Sequence, residues 1–439
     1  MTKAANPHQA SNHFPRAGGP NPRAGGPSPR RTGPAAASLA ALLALAMALP
    51  GCGGSRPTGS TGPSYTTAPA TTAPATTAAG RQRLSTADLI EQRRAAFTID
   101  HDVYTKLGYR LDWRGFPVVR QGERIDFLDV YDDVVVAHES GATVSVLEAD
   151  TGALRNSSQV ANPITRFVGN VRVGNHMVVS SDNELFAFDL DTGALTARHS
   201  LNHVVTTHPV HAAGQMIYGS AVGHVYARRL NPPVDAWAFD LGGPIDTDPV
   251  LAGPIVAAVS RNGDIAMLDA ATGTLVGRAK IYGGCDAAPV AGDGAVFFAS
   301  LDQSIYAFNL DGALRWRVRT EHPLRITPTL HAGVLYVPTA DKGLRAIDAN
   351  TGIELWHQPD ARGRVVGVRN GRLLTWDGNQ AAAATGPTGV ATTLDPDTGD
   401  VIFSAELPGV AMLKPDRFVD GNLYAVSRGG IVAKFQARD

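Results

Sequence analysis

Hydrophobic and polar residues alternate in a short segment that recurs along the chain and is clearest at Leu344–Trp356. From Leu344 to Ile347, successive side chains fall on opposite sides, as in a half-buried strand. The turn Asp348–Gly352 follows, in which Asp and Thr side chains can bond nearby backbone groups and Gly accepts a positive φ. Trp356 then lies on the outgoing strand. The pattern predicts a β-hairpin.

The same turn returns with a period of about 40 residues, which indicates stacked supersecondary units. The copies are Glu148–Gly152, Asp189–Gly193, Asp269–Gly273, Asn309–Gly312, Asp348–Gly352, Asp395–Gly399 and a degenerate one at Leu230–Asp235. The unit around the clearest copy has four predicted strands. They are Ile326–Leu330, Val334–Pro338, Leu344–Ile347 and Glu354–His357. Four short strands in such a unit are typical of one blade of a β-propeller.

Proline is a second marker with the same spacing. It falls on the predicted first strand of four units, at Pro209, Pro249, Pro289 and Pro328. Proline cannot donate a ladder hydrogen bond and belongs on an edge. The first strand of each unit is therefore predicted to be the inner edge that lines the central channel.

Closure of the ring is predicted from the two ends of the repeat region. The last unit has three strands, Ala411–Leu413, Asn422–Val426 and Ile431–Phe435, whereas Tyr109–Trp113 is a strand without a unit. Adding that strand to the last unit removes exposed edges. The predicted fold is all-β, a propeller of about eight four-stranded blades over residues 109–439, closed by an N-terminal strand.

The front of the chain has a different composition. Arg30 and Arg31 precede an apolar run from Ala35 to Leu49, which is too short for a membrane span and typical of an export signal. The run ends in Leu-Pro-Gly-Cys at Cys52, which resembles the lipobox of bacterial lipoproteins. The resemblance implies a lipoprotein signal peptide at residues 1–51 and lipidation of Cys52. The alternative is an ordinary secretory signal with an incidental cysteine.

Two segments connect this signal to the repeats. Residues 52–84 repeat Thr, Ala and Pro and lack apolar bulk, which predicts a disordered tether behind the lipid anchor. Residues 85–108 predict a short helical lead-in with Ser85 as its N-cap and Leu89, Ile90 and Phe97 on one side.

Charge and cysteine content narrow the choice of partners. Residues 1–51 hold five of the 39 basic residues and none of the 40 acidic ones, which leaves 34 against 40 and a net charge of about −6. Nucleic-acid binding needs an excess of basic side chains to neutralise phosphates, and this chain is mildly acidic, so no nucleic-acid partner is predicted. If Cys52 carries lipid, Cys285 has no partner for an intrachain disulfide and is predicted to be a small packed residue.

The repeat has the form Ala-x-Asp-x-x-Thr-Gly-x-x-x-Trp and resembles the pyrroloquinoline-quinone-type (PQQ-like) propeller repeat. With the lipobox and eight short blades, the chain is similar to the outer-membrane assembly factor BamB lipoproteins. The resemblance implies a non-catalytic, monomeric propeller, lipid-anchored to the outer membrane and facing the periplasm. It also implies binding of other envelope assembly proteins through the propeller loops. No match to that family's partner-contact motif stands out, so no contact residue is carried over.

An enzyme or ligand-binding propeller that holds quinone or sugar in the central funnel is the second hypothesis. Quinone-dependent alcohol dehydrogenases share the repeat but have a vicinal disulfide and a calcium site. This chain has no Cys-Cys pair, and no Glu, Asn and Asp set matches those calcium ligands. No cofactor, metal or catalytic residue is therefore predicted.

Residues that recur with the repeat are predicted to be structural, because the aspartates can cap their turns and the tryptophans can pack between blades. They are Asp189, Asp269, Asp348 and Asp395, and Trp113, Trp237, Trp316 and Trp356. The histidines His203, His208 and His211 crowd one unit. Their offsets turn successive side chains in opposite directions along a strand, which argues against a shared metal.

Function is predicted where the copies differ. One such position lies three residues before the proline position of the first strand in each unit. In successive units it holds Thr165, Thr206, Asp246, Asp286, Arg325 and Arg364, if Gly367 takes the place of the proline in the seventh unit. Two acidic units are followed by two basic ones. We predict a polarised rim at one mouth of the channel that orients a charged partner or ligand, with ordinary solvated loop charge as the alternative. The insert Gly378–Gly389 is a second candidate contact loop.

Overall fold

The computed structural model describes residues 86–339, 343–378 and 389–438. Its regular structure is antiparallel sheet apart from two helices, α1 (Thr86–Ala96) and α2 (His101–Lys106). The Asp100 side chain caps α2 by accepting from the backbone N–H groups of Asp102 and Val103. Ser85, the predicted cap of the first helix, lies outside the described residues.

The described residues form eight sheets of four strands each. Strand β1 is Tyr109–Gly115. The next sixteen strands are β2 (Ile125–Val130), β3 (Val134–Glu139), β4 (Thr143–Glu148) and β5 (Leu154–Gln159) in blade 1; β6 (Phe167–Val173), β7 (His176–Ser181), β8 (Glu184–Asp189) and β9 (Leu195–Ser200) in blade 2; β10 (Val210–Ala212), β11 (Gln215–Gly219), β12 (His224–Leu230) and β13 (Pro233–Asp240) in blade 3; and β14 (Val250–Ala252), β15 (Ile255–Val259), β16 (Asp264–Asp269) and β17 (Leu275–Lys280) in blade 4.

The remaining strands complete the ring. They are β18 (Val290–Gly292), β19 (Ala295–Ser300), β20 (Ser304–Asn309) and β21 (Leu314–Arg319) in blade 5; β22 (Thr329–His331), β23 (Val334–Thr339), β24 (Gly343–Asp348) and β25 (Glu354–Gln358) in blade 6; β26 (Arg364–Arg369), β27 (Arg372–Asp377), β28 (Gly389–Leu394) and β29 (Val401–Leu407) in blade 7; and β30 (Val410–Pro415), β31 (Leu423–Ser427) and β32 (Val432–Ala437) in blade 8.

Blade 8 is built from both ends of the described chain. Its strand order is β1-β32-β31-β30, so β1 takes the outermost place and pairs with β32 from Tyr109 opposite Ala437 to Gly115 opposite Val432. The prediction of an eight-bladed propeller closed by an N-terminal strand is confirmed.

The inner strands are shorter than predicted. Strand β22 spans Thr329–His331 rather than Ile326–Leu330, and Pro328 lies immediately before it. The prolines at the other three marker positions likewise precede β10, β14 and β18 by one residue. The prediction that they lie on the strand is therefore wrong. Since proline has no N–H to donate, the ladder begins only at the residue after it.

Strand β24 is buried on both of its faces, so the expectation of a half-buried strand is also wrong. Leu344 packs with Val365 and Leu373 of blade 7, whereas Ile347 packs with Phe297 of blade 5. The alternation along the strand is real. Each face meets a neighbouring blade because the blades stack around the ring.

The tryptophans lock neighbouring blades together, as predicted. Each indole ring lies against the turn glycine of the next blade, and the pairs are Trp113 with Gly152, Trp237 with Gly273, Trp316 with Gly352, and Trp356 with Gly399. The indole N–H groups donate to backbone carbonyls of the same turns. Where blade 1 has Asn156 instead of tryptophan, its amide nitrogen donates to the carbonyl of Leu190 at 2.9 Å. The asparagine thus makes the equivalent hydrogen bond without the ring.

The lead-in and the closing blade share one core cluster. Phe97 is buried just beyond α1, and the ring of Tyr104 on α2 stacks on Phe435 with centroids 3.8 Å apart. The buried ammonium group of Lys434 donates to the carbonyl of Ala149 at 2.9 Å, which ties blade 8 to blade 1. Neither of the two described helices is long and apolar enough to cross a membrane.

Candidate functional site

The antiparallel order of the strands gives the ring two distinct ends. Loops between the first and second strands and between the third and fourth strands lie at one end, which we call the turn face. Loops between the second and third strands, and those that connect one blade to the next, lie at the other end, which we call the loop face. The repeated Asp-to-Gly turns are on the turn face, and the predicted rim is on the loop face.

The turn aspartates act as caps. One carboxylate oxygen of Asp348 accepts from the backbone N–H groups of Asn350 and Thr351, at 3.1 and 2.8 Å, and from the Thr351 hydroxyl at 2.8 Å. The hydroxyl and backbone bonds from Thr351 lower the pKa of Asp348. Asp189 and Asp269 are held in the same way. These carboxylates are used within their own turns.

The predicted rim is a set of local ion pairs on the loop face. Arg325 donates to Asp286, the acidic residue one blade earlier. Asp246 does not contact either of them but pairs with Arg261 of the blade 4 loop, whose Nη2 lies 2.5 Å from the Asp246 carboxylate. The acidic and basic groups therefore neutralise each other in neighbouring pairs. Exposed pairs of this kind contribute little to stability, on the order of 0–1 kcal/mol.

Arg364 lies apart from these pairs, on the wall of the central channel. Its Nε donates to the hydroxyl of Thr329 at 3.1 Å. Arg364 is exposed to solvent, and partial desolvation of its guanidinium group by the neighbouring atoms lowers the pKa of Arg364.

The channel contains a cavity of about 720 Å³. Residues of the inner strands or their flanks in blades 4 to 8 line it, including Val250, Val290, Thr329, Arg364 and Met412. Apolar side chains form most of the wall. A space of this size and composition can hold a small ligand.

The three histidines of blade 3 and its approach do not converge. The ring of His203 stacks on Tyr226 with centroids 3.7 Å apart, whereas His208 accepts at Nε2 from the backbone N–H of Asn170 and His211 is exposed. Within the three described ranges, no three His, Cys, Asp or Glu side chains are grouped closely enough to hold a metal ion. Cys285 is buried and has no disulfide partner among the described residues, and burial raises the pKa of its thiol to about 12.

A partly buried ionic cluster beside the channel was not predicted from the sequence. Asp129, on the inner strand of blade 1, lies 3.4 Å from Nε2 of the fully buried His138 and 3.4 Å from the ammonium group of Lys414 in blade 8. Burial alone would raise the pKa of Asp129, but the contact with His138 and the charges of Lys414 and His208 outweigh it and lower the pKa to about 2. The only sequence signal was the presence of charged residues inside two inner strands, Asp126 and Asp129 in β2 and Lys414 in β30.

Exposed apolar side chains on the loop face were also missed. Ile164 and Tyr282 are 89% and 87% exposed in blade-connecting loops, and Val204 and Val222 are exposed in loops between them. Ile164 directly precedes Thr165 of the rim series, where the next two blades have the buried residues Val205 and Ile245. The sequence signal that could have indicated these exposed side chains was the presence of large apolar residues in turn-rich loops. The second candidate contact loop, Gly378–Gly389, lies outside the described residues from 379 to 388.

Comparison with known proteins points to one family. The sequence model described as outer membrane protein assembly factor BamB matches residues 118–238, 234–316 and 261–439. The chain is 27% identical over 203 residues to outer membrane protein assembly factor BamB of Burkholderia pseudomallei, covering 43% of this chain and 52% of that protein. It is 28% identical over 127 residues to BamB of Bordetella pertussis, covering 28% and 32%. The chain thus spans about half and about a third of the length of these relatives.

Solved structures share the fold. The crystal structure of BamB from Moraxella catarrhalis superimposes with a TM-score of 0.57 at 20% identity, covering 72% of this chain and 97% of that one. The computationally designed Ika8 protein superimposes with a TM-score of 0.59 at 14% identity, covering 74% and 100%. At these identities the likeness concerns the propeller fold alone.

Proposed function

Because this chain belongs to the family of outer membrane protein assembly factor BamB, we propose that it is a non-catalytic scaffold of the cell envelope that binds other assembly proteins through its loop face. The observation that carries the proposal is the family match over most of the propeller. The relatives from Burkholderia pseudomallei and Bordetella pertussis are named outer membrane protein assembly factors. The same role is proposed here for a propeller of the same fold.

The loop face has the composition of a protein-binding surface. Ile164 and Tyr282 expose large apolar side chains in two separate blade-connecting loops. An exposed apolar side chain of this size can serve as an anchor that a partner protein buries. The ion pairs Asp246–Arg261 and Asp286–Arg325 lie on the same face. Apolar centres with charged residues around them favour specific recognition, in which the charges orient the partner. The predicted polarised rim is retained in this form.

The lipid anchor belongs to the same proposal. Cys52 would carry the lipid after removal of residues 1–51, and residues 52–84 would connect it to the folded domain through the lead-in at 85–108. Two or three acyl chains hold a protein stably at a membrane. The proposed location is the periplasmic side of the outer membrane.

A cross-linked pull-down from membranes tests the scaffold proposal. The tagged chain is compared with Ile164→Asp on the loop face and with the matched control Ile353→Asp, whose isoleucine is 63% exposed on the turn face. Burial of one isoleucine contributes roughly 1.5–3 kcal/mol to an interface, which corresponds to about a tenfold or larger loss of affinity. We expect the parent chain and Ile353→Asp to enrich an envelope assembly protein and Ile164→Asp to lose it.

Two results would count against the proposal. Equal recovery from both variants would remove the loop face as the contact surface. Enrichment of no envelope protein by the parent chain would remove the scaffold itself. A Cys52→Ala chain in the same experiment tests the anchor separately, because it should leave the membrane fraction without losing its partner in solution.

A further inference from the structure

The cavity in the central channel has an apolar wall drawn from several blades. The half-buried side chains that form it are Val250, Val290, Leu330, Val366, Met412 and Phe418. Its volume of about 720 Å³ falls within the range of small-molecule sites in proteins, roughly 300–1,000 Å³. An apolar wall of this extent favours a ligand with an apolar body.

One cation on this wall lacks an anionic partner. Arg364 uses its Nε for the Thr329 hydroxyl, and that hydroxyl in turn donates to the carbonyl of Val365 at 2.8 Å. These two bonds hold the plane of the guanidinium group. Among the residues that the structure describes, no carboxylate forms an ion pair with Arg364. An arginine that lines the cavity without a carboxylate partner is available to an anionic ligand.

The other cation of the cavity is already neutralised. The ammonium group of Lys414 donates to the carbonyl of Leu128 at 2.6 Å and lies 3.4 Å from the carboxylate of Asp129. Asp129 also faces His138. Lys414 is therefore part of the ionic cluster beside blade 1, and Arg364 is the group that a ligand would meet.

We propose that the central channel binds a monocarboxylate with an apolar tail, with the carboxylate on the guanidinium group of Arg364 and the tail along the channel wall. The planar fork of arginine matches the two oxygens of a carboxylate. The valines, Met412 and Phe418 would cover an aliphatic or aromatic tail. A sugar would leave most of its hydroxyls against apolar wall atoms without hydrogen bonds. A free carboxylic acid and the C-terminus of an apolar peptide share the required chemistry.

Calorimetry tests the site. The full chain carrying Cys52→Ser is titrated with decanoate and, separately, with uncharged decanol. The substitution is present in every sample, so that no lipid attached to the protein competes for the channel. Hydrogen bonds to a charged group contribute enough for about a tenfold or larger preference, so decanoate should bind at least tenfold more tightly than decanol. Arg364→Gln should abolish this preference. Arg362→Gln, two residues earlier on an exposed position, should retain it.

A peptide ending in two leucines, with a free or an amidated C-terminus, distinguishes the two sources. Tighter binding of the free-acid peptide than of decanoate identifies a peptide terminus as the ligand class, and binding of decanoate alone identifies a free acid. Equal affinity for decanoate and decanol, no binding of any probe, or an unchanged preference in Arg364→Gln would overturn the proposal. The comparisons of probes on the parent chain need no variant, so they remain decisive if Arg364→Gln fails to fold. None of these binding results bears on partner binding at the loop face, which is tested separately by the pull-down.

Discussion

The indole ring of Trp316 in blade 5 rests on Gly352 in the turn of blade 6. A β-carbon at Gly352 would lie 2.8 Å from Cδ2 of that ring, and the indole N–H donates to the carbonyl of Ala349 at 2.9 Å. The turn therefore has two functions. Asp348 and Thr351 shape it from within, and its glycine provides the surface on which the previous blade packs.

Gly352→Ala should destabilise the propeller by about 2–5 kcal/mol. The residue has φ of +75°, which costs alanine roughly 1–2 kcal/mol, and the new methyl group would also overlap the indole ring at a further cost of about 1–3 kcal/mol. Gly333→Ala is the control, because its φ of +78° is similar and no atom lies near its added β-carbon. Chemical denaturation should show a clearly larger loss for Gly352→Ala. Equal losses would mean that the tryptophan contact contributes nothing.

Lys434→Met should reduce the free energy of unfolding by about 1–3 kcal/mol, since it removes a buried hydrogen bond between blades 8 and 1 and leaves the Ala149 carbonyl without this donor. Lys280→Met serves for comparison, because that ammonium group is exposed and pairs with Asp264 at 3.0 Å on the surface of blade 4. Its effect should stay within about 0.5 kcal/mol. Thermal unfolding of the two variants side by side measures the difference, and a reversed order would refute the proposed role of Lys434 in closure.

Asp129 should make the protein sensitive to acid. Its pKa of about 2 in the folded state is below the ordinary value near 4, so its stabilising contribution is complete above about pH 4 and is lost as the pH falls toward 2. The contribution should be about 2 kcal/mol. Asp129→Asn should therefore flatten this part of the stability profile, whereas Asp132→Asn, at an exposed position, should leave the profile unchanged. Unfolding measured in urea between pH 2 and 7 provides the comparison. Parallel profiles for the parent chain and Asp129→Asn would show that the ionic cluster does not stabilise the fold.

Charge reversal at Asp246 and Asp286 should weaken recovery of the envelope partner and change its dependence on salt. Each reversal places two cations side by side on the loop face, because Arg261 and Arg325 remain. Asp397→Arg introduces the same charge on the turn face and should have no effect on binding. The measurement is partner recovery at low and high salt. If the two loop-face variants match Asp397→Arg at every salt concentration, the rim is only solvated loop charge.

The architecture could be predicted from the sequence because the turns and the prolines recur at a fixed spacing. The unpaired strand Tyr109–Trp113 then supplies the strand that the last blade lacks. It was less informative about the candidate site. Arg261 is the partner of Asp246, but it lies in another loop, and no local pattern indicates that the loops meet. The cluster around Asp129 combines side chains from blades 1 and 8, which are neighbours only after the ring has closed.

Local spacing also cannot show equivalent bonds made by different residues. Asn156 occupies a tryptophan position, yet its amide makes the same hydrogen bond to the next turn. Similarly, Arg364 follows the rim spacing but turns into the channel. In both cases the spacing indicates the position in the repeat but not the contacts of the side chain.

The pairing of β1 with β32 has a consequence for the order of events when the protein is made. The strand at Tyr109 is synthesised early, but its partner at Ala437 follows about 330 residues later. Until then, blade 8 cannot form and the ring remains an open arc whose unpaired strand edges can associate with other chains. Contacts so distant in sequence also slow folding. The protein is therefore expected to depend most on chaperones during the interval between the synthesis of its first strand and its last.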